Sequence, residues 1–197
     1  MRALLLLIAA VLPPAFAARA FAGDPSLTPN PEKWRPVVYR DLQIPGPTDR
    51  PFTDLWADLI AQNNRRYAAV GDTRYAVGNA PVREAHFVVR AGDKAALLSV
   101  LDTATGCKTI AADAASNIAV KMCPMRLAFW RSGQGTIRQA KGCYLEPGAP
   151  PANFSPDPKF AVSYASYDVA TKSIKLGVIL AHRAIEKCSQ IVPLYPK

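Results

Sequence analysis

The chain has 197 residues, half of them apolar, and carries 24 Lys and Arg against 15 Asp and Glu, a formal net charge of +9. Such a length holds one domain with a sizeable core, or a smaller domain and an arm. The cations are scattered, Arg65-Arg66 being the sole adjacent pair, so no tract marks a nucleic-acid surface; the charge suits an acidic protein or an anionic envelope component.

The N-terminus reads as an export signal: Arg2, an apolar run from Ala3 to Leu12, then small residues with Ala15-Phe16-Ala17 and Ala20-Phe21-Ala22 as competing cleavage sites. The run is shorter than the roughly 20 residues a membrane-spanning helix needs, so residues 1–22 are expected to be removed, leaving no transmembrane anchor. Four cysteines, an even number in an exported chain, predict two disulfides in an oxidising compartment. Alanine richness, with arginine above lysine, points to a bacterium and hence to a periplasmic or secreted protein.

Residues 23–51 carry Pro25, Pro29, Pro31, Pro36, Pro45, Pro47 and Pro51, which predicts an extended arm, with residues 37–44 able to add a short edge strand. From Phe52 the pattern changes. Phe52, Leu55, Trp56, Leu59, Ile60 and Tyr67 share one stripe of a 3.6-residue period, which predicts an amphipathic helix, acidic at its start and basic at its end. Beyond Gly78 the chain reads as strands. "EAHFVVR" and "AALLSVLD" form one hairpin, "MRLAFW" and "TIRQAKGCYL" a second, and "FAVSYASYDV" and "SIKLGVILAH" a third, with "CSQIVPL" closing. Residues 109–121 suit either helix or strand, and 146–158 form a proline-rich loop. The matching "LDTATGCKTI" and "YDVATKSIKL" are read as two similar turns. The expected fold is α+β: a signal peptide (1–22), a proline-rich arm (23–51) and one domain (52–197). In that domain the helix packs on a mainly antiparallel sheet of about seven or eight strands, a disulfide-stabilised sandwich or half-open barrel.

The densest soft-ligand chemistry is "KMCPM", Lys121 to Met125. Alternation along a strand puts Cys123, Met125, Leu127 and Phe129 on one face and Met122, Arg126, Ala128 and Trp130 on the other. Met122 and Cys123 then point apart, and a Cu(I) site needs both a break at Pro124 and a free Cys123. A disulfide is the better use. With a three-residue loop at Ser132-Gly133-Gln134, Cys123 faces Cys143, and by elimination Cys107 joins Cys188; a two-residue Gly133-Gln134 turn shifts that register by one. No cofactor or metal is expected.

Of the two histidines, His182 is the better base for a hydrolase, with Ser163, Ser166 and Asp168 arranged around it; no Gly-x-Ser-x-Gly or metal-ligand spacing accompanies it. Tyr144, Phe154, Phe160, Tyr164 and Tyr167 cluster around the proline-rich loop and form the candidate binding rim. The expectation is therefore a non-enzymatic binding or accessory protein of the bacterial cell envelope, such as a secretion or conjugation component or a periplasmic immunity protein. The alternative is a periplasmic hydrolase acting on a cell-wall or lipid substrate.

Overall fold

The computed structural model describes residues 35–72, 78–91, 94–131, 134–146 and 160–194. The expected leader, residues 23–34 of the arm and residues 147–158 of the proline-rich loop lie outside these. In chain order the elements are β1 (Arg35–Pro36), β2 (Val38–Asp41), α1 (Arg50–Leu55), α2 (Ala57–Ala69), β3 (Val82–Ala91), β4 (Lys94–Thr103), β5 (Lys108–Asp113), β6 (Ile118–Arg131), β7 (Gln134–Glu146), β8 (Ala161–Asp168), β9 (Ser173–Leu180), β10 (Arg183–Ala184) and β11 (Gln190–Pro193). Every ladder is antiparallel.

The strands make two sheets. The six-stranded sheet runs β2-β3-β4-β6-β7, with β5 continuing the β4 side of β6; the five-stranded sheet runs β1-β8-β9, with β10 and β11 both on the far edge of β9. Alternation decides which side chains go where. Ala85, Phe87 and Val89, Ala96, Leu98 and Val100, and Cys123, Met125, Leu127 and Phe129 point into a core shared with Ala165, Tyr167 and Ile174 of the five-stranded sheet. Their neighbours of opposite parity, Val82, Val88, Leu97, Leu101 and Ala128, meet the helices. At the start of β6 the parity changes: Ile118 and Val120 pack with Ala161, Val178 and Leu180.

The helical stripe is two pieces, joined at Trp56, whose N–H still reaches the Phe52 carbonyl (3.0 Å) and whose carbonyl accepts from Ile60 (2.9 Å). Phe52, Leu55, Trp56 and Ile60 are buried against the sheet; each fully buried large side chain of this kind contributes about 1.5–3 kcal/mol. The helix ends on Gly71, at φ +72°, with its N–H bonded to the Ala68 carbonyl (3.0 Å) and the Asp72 N–H to that of Tyr67 (3.2 Å). That pair of hydrogen bonds needs a left-handed residue, which glycine supplies without a Cβ clash.

Residues 35–51, expected as an arm, are woven into the domain. β1 pairs with β8 and β2 with β3, so the segment bridges both sheets, and Leu42 is fully buried. Pro36 sits on an edge strand, where a missing donor does no harm, and Pro47 and Pro51 open a 3-10 turn (Pro47–Asp49) and α1, where the first N–H groups have no partner within the helix, so the helical segment begins at Pro47 and not at Phe52. The six-stranded sheet also curls. Tyr39 on β2 lies edge-on to Tyr144 on β7, ring centroids 5.5 Å apart, although the two strands occupy opposite edges.

Candidate functional site

The Met-Cys-Pro-Met stretch is structural. Cys123 is disulfide-bonded to Cys107, and Cys143 to Cys188, which corrects the expected Cys123–Cys143 and Cys107–Cys188 pairing. The reason is register. Arg131 pairs with Gln134, so two residues separate β6 from β7, and Cys123 stands opposite Gly142 while Cys143 stands opposite Met122. A one-residue slip sends a side chain to the other face, and Cys143 turns to Cys188 instead. Gly142 is needed where it stands, because a Cβ there would lie 2.7 Å from the Met125 sulfur.

Pro124 explains where Cys107 comes from. The β4–β6 ladder ends at Val100 opposite Met125, and β5 takes over at Lys108 opposite Met122. Continuing the register would set Leu101 against Pro124, which has no N–H to donate. The chain therefore leaves the ladder through Gly106, whose Cβ position would be 3.1 Å from the Pro124 ring, and returns with Cys107 beside Cys123. Ligand atoms of Asp102, Cys107 and Cys123 lie within 4.8 Å of one another, but both sulfurs are spent in the bond and offer no thiolate.

Beside this disulfide is a charged group at the rim of the shared core. Lys121 Nζ lies 3.2 Å from Asp102 Oδ2 and 2.8 Å from Glu146 Oε2. Burial pushes the Asp102 carboxyl up, against the pull of Lys121. Tyr144 is buried next to it and burial raises its phenol too. Desolvation likewise pushes the Tyr39 phenol up to about 12, with Ser163 and the Leu145 backbone opposing the shift, although the residue keeps 39% of its surface in water.

A second polar group sits between helices and sheet. The Trp56 indole N–H donates to Ser99 Oγ (2.8 Å), the Ser99 hydroxyl donates to Glu84 Oε1 (2.5 Å), and His86 Nδ1 is 2.8 Å from Glu84 Oε2. Glu84 is completely buried, and desolvation raises its pKa although His86 and Ser99 oppose the shift. Arg126 reaches out of β6 to hold both carboxylate oxygens of Asp58, at 2.8 and 2.6 Å, with its guanidinium 4.5 Å from the centre of the Trp56 ring. Those bonds hold the Asp58 carboxyl below its ordinary value. The serine here binds the carboxylate and not the imidazole, so the trio lacks the nucleophile-to-base contact of a hydrolase. It is a clamp for α1 and α2.

The expected hydrolase group does not converge. His182 follows β9 at the end where Leu180 pairs with Ala161, whereas Asp168 pairs with Ser173 at the other end of the same hairpin, about 20 Å away at the rise of a strand. His182 packs edge-on against Phe160 at 5.2 Å, and Asp168 meets Lys175 at 3.3 Å. The binding-rim aromatics are also dispersed. Tyr144 and Tyr167 are buried in the shared core, Phe160 is half-buried against the Ile118–Val178 cluster, Tyr164 lies over Gly177, and Phe154 lies outside the described residues.

The surface that stands out is β7. From Gly135 to Lys141 every residue is exposed except the half-buried Arg138, and Ile137 keeps 50% of its surface in water. Along its inner edge the strand pairs with β6 without a bulge; among the described residues its outer edge pairs with no strand. A two-residue connection makes the flanking Arg131 and Gln134 a hydrogen-bonded pair, and alternation from there has Thr136, Arg138 and Ala140 bond to their partners on β6. Gly135, Ile137, Gln139 and Lys141 therefore aim their N–H and C=O groups outward. Further along, the Tyr39 ring lies edge-on to Tyr144, so among the described residues the bare stretch is 135–141. Its signature was in the sequence: "GTIRQAK" lacks the apolar alternation of the other strands. No protein family, curated protein or solved structure matches the chain.

Proposed function

We propose that this chain is an exported, non-enzymatic binding protein of the bacterial cell envelope, in the role of an accessory subunit of a secretion or conjugation machine or of a periplasmic immunity protein. The observation that carries the reading is the first half of β7, Gly135–Lys141, an extended strand whose outer edge pairs with no strand among the described residues, on a frame held by two disulfides. Exposed strands on rigid frames bind partners by main-chain pairing. The signal-like N-terminus and the oxidised cysteines support export.

The test is expression of the full chain with a C-terminal tag in a bacterium, followed by fractionation, N-terminal sequencing and cross-linking in intact envelopes. The expected result is a periplasmic chain beginning near Gly23, and a cross-linked partner that binds again when both components are purified. A chain retained in the cytoplasm, or cross-linked material that never re-forms a complex, would contradict the reading.

A further inference from the structure

From the β7 edge we infer the occupant: an extended acidic segment of another protein, added to the six-stranded sheet as a further strand beside Gly135–Lys141. The inference rests on the binding-protein reading above and names the surface and chemistry it would use. Three observations select this occupant. First, β7 is long and regular, 13 residues with no register break, and natural edge strands are blunted by bulges, prolines, covering segments or charges. In its second half β7 is covered where the Tyr39 ring lies edge-on to Tyr144, and among the described residues its first half is guarded by charge. Second, that charge has one sign: Arg138 and Lys141 are the ionisable side chains between Gly135 and Lys141. Two such strands from two copies would bring cations together, so the edge disfavours a second copy and favours carboxylates. Third, the helices cover β3, β4 and β6 but leave Ile137 half in water, so an added strand gains an apolar contact as well as ladder bonds.

The geometry sets the recognition pattern. Ile137 and Lys141 lie four residues apart on one face, so the added strand carries an apolar residue opposite Ile137 and a carboxylate opposite Lys141. A second carboxylate on the alternate face suits Arg138, whose guanidinium also reaches the Pro193 carbonyl and lies 4.8 Å from the Phe129 ring centre. The backbone supplies affinity, and the spacing supplies choice.

The test uses the purified oxidised chain and a fluorescent peptide of roughly ten residues alternating Val and Asp, read by anisotropy at two salt concentrations. A peptide with Lys for Asp is the control. Gln139→Pro removes one outward donor while leaving the β6 ladder, which takes its bonds from Thr136, Arg138 and Ala140, intact; Lys141→Glu reverses the charge without touching the backbone. The expected result is saturable binding of the acidic peptide, weakened by added salt, lost by at least about tenfold in Gln139→Pro and severalfold in Lys141→Glu. Thermal melting confirms that each variant is folded, and Lys141→Glu carries the test if Gln139→Pro is not.

No binding by the native chain, equal binding of both peptides, or binding unchanged in the folded variants would overturn the inference. Concentration-dependent dimerisation abolished by Gln139→Pro would do so too, by making a second copy the occupant. A purified envelope partner still bound by both variants would sink the β7 assignment and leave the binding-protein reading standing; a native chain with no partner would remove both.

Discussion

Within one six-stranded sheet, the centre and the outer strand live under different physics. β3, β4 and β6 are covered on one face by the shared core and on the other by α1 and α2, and they bury even a carboxylate, Glu84, between them. β7 is held at its second half by Tyr144 and the Cys143–Cys188 bond, yet in its first half every side chain but the half-buried Arg138 is exposed. Covering both faces turns polar groups into obligations, since each buried one must find a partner. Leaving both faces and one edge open turns backbone groups into available contacts. Stability should therefore reside in the centre and recognition at the rim.

The sharpest break of that contrast is Trp56→Ala. It empties the centre of the helix-side cluster, removes the donor to Ser99 and takes away the ring under Arg126. Urea unfolding should show a loss of about 3–5 kcal/mol. Next comes the tether of β7: replacing Cys143 and Cys188 together by Ser should cost about 2–4 kcal/mol. The bond spans 45 residues against 16 for Cys107–Cys123, so in the chain-entropy account its removal costs about 0.9 kcal/mol more than the equivalent change at the shorter loop.

Glu84→Gln sharpens the comparison through pH. Burial raises the folded carboxyl above its ordinary 4.5, so the folded state favours the protonated acid. The stability this contributes is present below the ordinary value and is lost as pH rises through the raised one. The amide in the Glu84→Gln variant has no proton to lose, so the variant's stability relative to the native chain should increase between about pH 4 and about pH 8. Unfolding curves at the two values read this directly. The smallest effect belongs to the rim: Ile137→Thr should change stability by less than about 0.5 kcal/mol, as exposed substitutions do. A large loss there would mean that the first half of β7 is part of the core.

Alternation made much of the sheet legible. Cys123, Met125, Leu127 and Phe129 pointing one way and Arg126 and Ala128 the other follows from a period of two, and the stripe from Phe52 to Ile60 marked the apolar face of the helical segment. Register was not legible in this way, because the length of the β6–β7 loop shifts it by whole residues, and the disulfide pairing hung on it. The helix-side clamp was hidden for another reason: Trp56 and Ser99 are 43 positions apart, and Arg126 and Asp58 are 68. Its local trace was two polar residues on one face of an apolar strand, Glu84 and His86. The two similar Asp-Thr turns show how letters mislead. Asp168 accepts from the N–H groups of Ala170 and Thr171 within its own turn, at 3.0 and 3.2 Å, while Asp102 turns instead to Lys121.

The most direct test of the open edge is residue-resolved amide hydrogen exchange on the oxidised monomer, without any partner. The account predicts alternation along β7: Gly135, Ile137, Gln139 and Lys141 exchanging close to unprotected rates, Thr136, Arg138 and Ala140 protected, and β4 protected from Ala95 to Val100, where it has a strand on both sides. Uniform protection from 135 to 141 would contradict it, because some other strand or segment would then already occupy the edge.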